Sequence, residues 1–364
     1  MLYTIGMLTT IQDQVKTLLP AKRKVNATSG WISFNAPCCV YNGESADTRG
    51  RGGVMAKADG SVSYHCFNCH FKASYQPGRH LTFKFRKLLG WLGADDGTIK
   101  KMVIDAIRVR DLVSPEQIKP QTDEEEVKFN PRPLPSDAKT FEQWTSWFAL
   151  STTSDSGKIT VPKDFFHAIA YAHERKVDHI KYNLMWSPES EHNYHKRVII
   201  PCYWKGELIG STSRAWMDGM KPKYYSDYDS NYVFNLDNQL AESKFVIIVE
   251  GPFDAMSVDG VAVMSNECSE VQADIIDSLG KEVIVVPDFD VKMVRGHKVW
   301  SGESLVEQAM NYGWAVSFPE WREEVKDTAE AVEKYGKLFT IKAIIEGKLT
   351  SKLKIELMRK RILG

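Results

Sequence analysis

The run KEVIVVPDFDVK, residues 281–292, decides the fold. Val283 to Val286 is apolar and β-branched throughout, the pattern of a short strand covered on both faces as in a parallel sheet. It stops at Pro287 and delivers Asp288 and Asp290 where the strand leaves the core. If the extended conformation persists, side chains two apart point to the same side, so the two carboxylates converge on one small volume. Two anions there repel, and a cation relieves the repulsion. Hard oxygen ligands at a strand end suit Mg²⁺, which keeps several waters and takes one or two carboxylates plus substrate phosphates. Taken alone, D-x-D also fits a solvated turn.

The flanking sequence repeats the plan. In FVIIVEGPFDA, residues 245–255, Glu250 sits where an apolar strand ends, and Gly251-Pro252 turns the chain toward a helix begun near Asp254. Ligands bind at the strand ends of parallel sheets. Glu250, Asp288 and Asp290 thus form a three-carboxylate cluster able to hold one or two divalent ions. FVIIVEG, VAVMS and EVIVVPDFD alternate with the helical segments DAMSVDG and EVQADIIDSLG, the order of a parallel sheet with crossover helices. Upstream, FEQWTSWFAL is helix-leaning and RVIIPCYW and GELIGSTSRAW are strands. Downstream, IKAIIEG and LKIELMRKRIL read as one or two basic helices.

The N-terminal part carries different chemistry. Ile11, Val15, Leu18 and Leu19 share a helical face, and residues 31–75, rich in Gly, Cys, Asn and aromatics, read as a small β-rich module that needs a staple. Cys38 and Cys39 precede Cys66-x-x-Cys69 across a Gly-rich, hairpin-like stretch, as in zinc ribbons, so one structural Zn²⁺ is expected on Cys38, Cys39, Cys66 and Cys69. Adjacent cysteines chelate less readily than C-x-x-C, and His65 or His70 could replace one of them. Arg49, Arg51 and Lys72 with Phe67, Phe71 and Tyr75 offer phosphate contacts and stacking faces for a single strand; an ordinary hairpin tip would look the same. Helix is expected from about Thr98. Residues 111–140, with five prolines and the run DEEEV, read as a solvated linker.

The 364 residues have a formal net charge of zero that conceals segregation. Residues 1–110 carry sixteen Lys/Arg against seven Asp/Glu, 331–364 nine against three, and 141–330 eighteen against thirty. Two basic ends around an acidic body can serve polyanion binding without a high overall pI. The sequence shows no run of eighteen apolar residues and no basic-then-apolar leader, so neither a membrane span nor export is expected. Six cysteines that include C-x-x-C favour metal ligation or free thiols over disulfides.

VEGPFDAM followed by VVPDFD resembles the Toprim domain shared by DnaG-type primases, topoisomerases, certain nucleases and recombination mediators. The resemblance implies acid/base or metal chemistry at Glu250, Mg²⁺ on Asp288 and Asp290, and Asp254 in the E-G-x-x-D slot. KDTAEAVEKYG resembles a later acidic element of phage Toprim primases, adding Lys326 and Asp327. With the zinc module in front, the order is similar to that of DnaG-type primases, particularly the stand-alone primases of T-even-like bacteriophages. RVIIPCYWKGELIGSTSRAW…KPKYYSD resembles their cleft-lining segment, which implies nucleotide or template contacts at Arg197, Arg214, Lys221 and Lys223.

The implied architecture is an α/β Toprim core with a Rossmann-like parallel sheet, a mixed α+β lobe before it, and a small β-rich zinc ribbon before that. The expected boundaries are a zinc ribbon with N-terminal helix over 1–80, helix and linker over 81–140, the lobe over 141–240, Toprim over 241–330 and basic helices over 331–364. The implied activity is RNA primer synthesis on single-stranded DNA from ribonucleoside triphosphates, with one or two Mg²⁺ ions aligning a primer hydroxyl and an α-phosphate, in a cytoplasmic setting (the host's, for a phage protein). No G-x-x-x-x-G-K-[ST] occurs, so a separate replicative helicase is the expected partner. A Toprim nuclease and a non-catalytic recombination mediator are the alternatives.

Overall fold

The computed structural model of the chain describes residues 11–27, 30–79, 81–112, 127–153, 161–188, 194–321 and 325–364. Residues 113–126, which include most of the DEEEV run of the expected linker, lie outside the described residues. The chain divides into two compact units. Met1–Glu126, Ala241–Lys244 and Ala273–Glu282 form the first, and Val127–Leu240, Phe245–Gln272 and Val283–Gly364 the second.

In the first unit, helix α1 (described over 11–18) precedes β1 (Arg23–Val25), β2 (Trp31–Phe34), a 3₁₀ turn (Cys39–Asn42), β3 (Gly52–Ala56), β4 (Val62–Cys66) and β5 (Lys72–Tyr75). The strands pair antiparallel in chain order. Strand β4 alternates buried and half-buried residues, which is the period-two signature of a sheet with one covered face. That face, with Phe34, Val54, Val62, Tyr64, Ala73 and Tyr75, packs into one core with Ile11, Val15 and Leu19 of the N-terminal helical region. Helices α2 (Phe83–Trp91) and α3 (Asp96–Leu112) complete it with Phe85, Leu88, Leu89, Met102 and Ala106. The module therefore has more than a staple. The segment expected as helix and linker supplies two helices whose apolar stripes back the sheet, and α3 starts at Asp96, slightly before the expected Thr98. Thr82 caps α2 by accepting from the Phe85 N–H.

The second unit begins with β6 (Lys139–Thr140), α4 (Phe141–Thr153), α5 (Lys163–Glu174), β7 (Met185–Trp186), β8 (Arg197–Trp204), β9 (Glu207–Ala215) and β10 (Tyr224–Asp227). The sheet order is β10-β9-β8-β7-β6, all antiparallel. Pro201 lies in β8, where a missing N–H would ordinarily break a central ladder. Two-residue β7 pairs with β8 only at Met185–Ile199, so Pro201 sits beyond its end.

Next along the chain come β11 (Phe245–Val249), α6 (Pro252–Val258), β12 (Val261–Ala262), α7 (Glu270–Asp277, counted with the first unit from Ala273), β13 (Glu282–Val285), β14 (Val291–Val294) and β15 (His297–Trp300). Helix α8 (Glu303–Tyr312), β16 (Ala315–Ser317), α9 (Thr328–Tyr335), α10 (Lys337–Glu346), β17 (Lys348–Leu349) and α11 (Lys352–Leu363) follow. The sheet order is β12-β11-β13-β16-β17. The β11–β12 and β13–β16 pairs are parallel, while β17 joins antiparallel, so the expected parallel sheet is a mixed one. Strands β14 and β15 form a separate antiparallel hairpin inserted directly after the D-x-D run.

Candidate active site and metal centre

In the first unit the sulfurs of Cys38, Cys39, Cys66 and Cys69 all lie within 4.8 Å of one another. Among the described residues no other group of three or more His, Cys, Asp or Glu side chains comes together so closely. Adjacent cysteines converge because Cys38 has helical backbone angles and Cys39 opens the 3₁₀ turn. On such a turn successive side chains are about 120° apart, whereas an extended chain would send them to opposite faces. The Asn68 N–H donates to Cys66 Sγ at 3.4 Å and Asn68 Nδ2 to Cys39 Sγ at 3.4 Å.

Burial pushes the Cys38 thiol up, so a thiolate there needs a cation beside it. Four converging sulfurs, two of them receiving N–H donors, are the donor set Zn²⁺ takes in structural sites. Neither His65 nor His70 belongs to the group; the His65 ring lies 4.3 Å from that of Phe67. Arg51 donates through Nε to Asp47 at 3.0 Å and through Nη1 to Asn68, so it braces the sulfur-bearing loop. Arg49 is exposed and Lys72 half-buried, Lys72 opposite His65 in the register, and Phe67 is 63% exposed nearby in sequence.

In the second unit a cleft of about 360 Å³ collects the acidic residues. Glu250, Asp254, Asp288 and Asp327 line it together with Arg175, Arg214 and Lys223, and with Tyr171, Tyr224 and Tyr228. Strands β11 and β13 set the first contact: Val286 N–H donates to Ile248 O at 2.8 Å, and two residues on Asp288 N–H donates to Glu250 Oε1 at 3.3 Å. Asp254 sits in the first turn of α6, where its Oδ1 accepts from the Ala329 N–H at 3.1 Å. Asp327 is the N-cap of α9 and accepts from the Glu330 N–H at 2.8 Å. The D-x-D backbone is held from both sides, by Phe289 N–H to Lys326 O at 2.7 Å and by Trp300 Nε1 to Asp288 O at 2.6 Å. Gly302 is required there, since a Cβ would stand 2.5 Å from Pro287 and 2.8 Å from the Asp288 carbonyl.

The electrostatics are those of crowded anions. Burial first, then Glu250, Asp327 and Asp290, push the Asp288 carboxyl up to about 8. Burial pushes Glu250 up to about 7 against the bond from the Asp288 amide, with Asp254 adding to the rise. Asp254 rises well above the carboxylate range for the same reasons, burial and then Asp327 and Asp288. A site of hard oxygen donors with unrelieved negative charge fits a divalent cation such as Mg²⁺. In the same cleft, burial and the neighbouring Arg214 and Arg175 push the Lys223 ammonium down. Arg214 lies over the Tyr224 ring at 4.6 Å and Arg175 over Tyr171 at 5.4 Å, so aromatic faces position both guanidinium groups.

Four expected residues do not line the cleft with their side chains. Regular strand ends at Val285, and Asp290, expected beside Asp288 if the extended conformation persists, is not among the lining residues and pairs with Lys292 at 2.6 Å. Arg197, expected at nucleotide or template, is 2% exposed, and its guanidinium donates to the backbone carbonyls of Ser213, Pro222 and Lys223. It fixes the chain that carries Lys223 rather than facing the cleft. Lys221 is exposed outside the lining, and Lys326 meets the site through its carbonyl. Arg175, Tyr171 and Tyr228 were not expected; a helix-end Arg and isolated tyrosines carry no motif that would mark them.

No family model matches the sequence, and no curated protein matches it. Among solved structures it is similar to the RNA polymerase domain of Mycobacterium tuberculosis primase DnaG, at 16% identity over 58% of this chain and 82% of that one, with a TM-score of 0.42. The zinc-binding and RNA polymerase domains of Aquifex aeolicus primase match at 17% identity over 95% and 86%, TM-score 0.40. The E. coli primase catalytic core matches at 15% over 57% and 79%, TM-score 0.39. At these identities and scores the likeness assigns no activity.

Proposed function

We propose that the chain is a DNA primase of the phage type, a DNA-dependent nucleotidyltransferase that builds short RNA primers on single-stranded DNA for replication. One observation carries this reading: four carboxylates and three cationic side chains line a single cleft. A site that only cut DNA has no need of cations placed to hold a triphosphate. Glu250, Asp254, Asp288 and Asp327, with Asp290 at the margin, are the residues to hold Mg²⁺, which would neutralise developing charge and orient the reacting oxygens in in-line phosphoryl transfer. Arg175, Arg214 and Lys223 then hold the phosphates of an incoming ribonucleotide. Tyr224 and Tyr171, under the two guanidinium groups, keep those cations from folding onto the acids. Arg197 fixes the backbone that presents Lys223. The zinc module, with Arg49, Lys72 and Phe67 available to phosphates and bases, reads the template strand. A replicative helicase acts in trans, and the work is done in the host cytoplasm.

The test supplies single-stranded DNA, Mg²⁺ and the four ribonucleoside triphosphates, with label in the nucleotide and, separately, in the DNA. Labelled RNA with intact template is the expected result. Shortened template without RNA would make the chain a Toprim nuclease, and DNA binding with neither product would make it a non-catalytic mediator.

A further inference from the structure

Among the described residues, strands β14 and β15, directly after the D-x-D run, pair with each other and join no larger sheet. Between Val291 and Gly302 the chain has Lys292, Arg295, His297 and Lys298 and not one carboxylate, in a stretch of the molecule where acids otherwise outnumber bases. The register pairs Lys292 with Val299 and Val294 with His297 on one face and Met293 with Lys298 on the other, so with Arg295 in the turn the cations are spread over both faces and the tip of the ribbon. Arg295 and Gly296, both at positive φ, make the tight turn at the tip. Met293 is 67% exposed, and Val294 and Val299 are exposed as well.

A two-stranded ribbon is marginal in water on its own, and this one is anchored at its base. Trp300 is buried, donates to the Asp288 carbonyl and lies 6.5 Å from Phe289 and 6.4 Å from Phe318. Ser301 returns two bonds, from N–H and Oγ, to the Asp290 carbonyl. The ribbon's cations therefore begin at the D-x-D run, where Lys292 Nζ holds Asp290, two residues from Asp288, at 2.6 Å.

We infer that this hairpin is a nucleic-acid arm, gripping the backbone phosphates of the strand that occupies the cleft. The inference deepens the polymerase reading by naming the contact that carries the strand past the acid cluster. Phosphodiester groups are what an acid-free run of cations recognises, and exposed Met and Val suit the sugar edge between them. Lys292 exchanges Asp290 for a phosphate as the strand enters.

The test measures binding of a labelled single-stranded oligonucleotide, without nucleotides, across a salt series, for the full chain and its variants. Removing two cations with Arg295→Gln and Lys298→Gln is expected to weaken binding about tenfold or more and to lower the log–log salt slope by about 1.4, since each single-strand phosphate contact contributes about 0.7. Lys163→Gln with Lys342→Gln removes the same charge from exposed positions elsewhere in the second unit and is expected to leave both values unchanged. Arg295→Lys, which keeps the charge, is expected to bind as the unmodified chain does. Equal affinity and slope in the arm variant, an equal loss in the control pair, or a loss in Arg295→Lys would each overturn the arm. A chain that makes no RNA yet shows the selective loss would sink the polymerase reading alone, and one that makes RNA while its arm variants bind normally would sink the arm alone.

Discussion

At the scale of single residues, two side chains show how position rather than identity sets a role. Arg197 looks like a phosphate contact in sequence, yet it is buried with its guanidinium spent on the Ser213, Pro222 and Lys223 carbonyls. Arg197→Met leaves those acceptors unpaired, so a loss of about 3 kcal/mol of stability is expected from bonds to a charged donor, measured by urea unfolding. Asp259 ends α6 in a left-handed conformation and receives Lys181 and Lys337, each at 2.7 Å, and the Tyr182 hydroxyl at 2.7 Å. Burial pushes its carboxyl up, but those three donors pull it down to about 2. A depressed folded value means stability that is present above the ordinary carboxylate range and is lost as pH falls from about 4 through 2. Asp259 is 40% exposed, so Asp259→Asn is expected to cost only about 1 kcal/mol at pH 6. Its melting temperature should also fall less than that of the unmodified chain between pH 5 and 2.5. Glu250 and Asp288 were legible because an acid where a buried strand ends has few structural reasons to be there, whereas Asp254 was marked only by the resemblance. Arg175 was not legible, since a basic residue at a helix end usually serves the helix alone.

At the scale of elements, the strands were read from runs of apolar residues and their ends from Gly and Pro punctuation, and β8, β9, β11 and β13 fall within those runs. Helix α2 was missed because FKFRKLLGW places Lys and Arg between its apolar positions in a short run just after Pro77-Gly78. The hairpin β14–β15 was missed because VKMV and HKVW lack a buried face that would impose alternation. The sulfur group is where the 3₁₀ turn, the end of β4 and the loop after it converge. Unmodified chain is expected to bind about one zinc by elemental analysis. Cys66→Ser should lower that content and the melting temperature of the first unit together, whereas full stability without zinc would reduce the cysteines to packing.

At the scale of the whole molecule, no helix among the described residues is long and apolar enough to cross a membrane. Two units carry two chemistries: a four-sulfur centre under an antiparallel sheet in one, and an acid-and-cation cleft beside a mixed sheet in the other. The segregation of basic ends from an acidic body was readable from composition, but the cleft's opposition of charges was not, because it joins residues from α5, β9, β11, α6 and α9 across long sequence separations. The most direct measurement is template-directed RNA synthesis in Mg²⁺ by the unmodified chain and by Asp288→Asn, with DNA affinity determined on the same preparations. Removing one charge-stabilising ligand should lower incorporation by at least about 100-fold while DNA affinity stays within about twofold. Undiminished synthesis by Asp288→Asn would contradict the account, because the carboxylates would then gather in that cleft for a purpose other than nucleotidyl transfer.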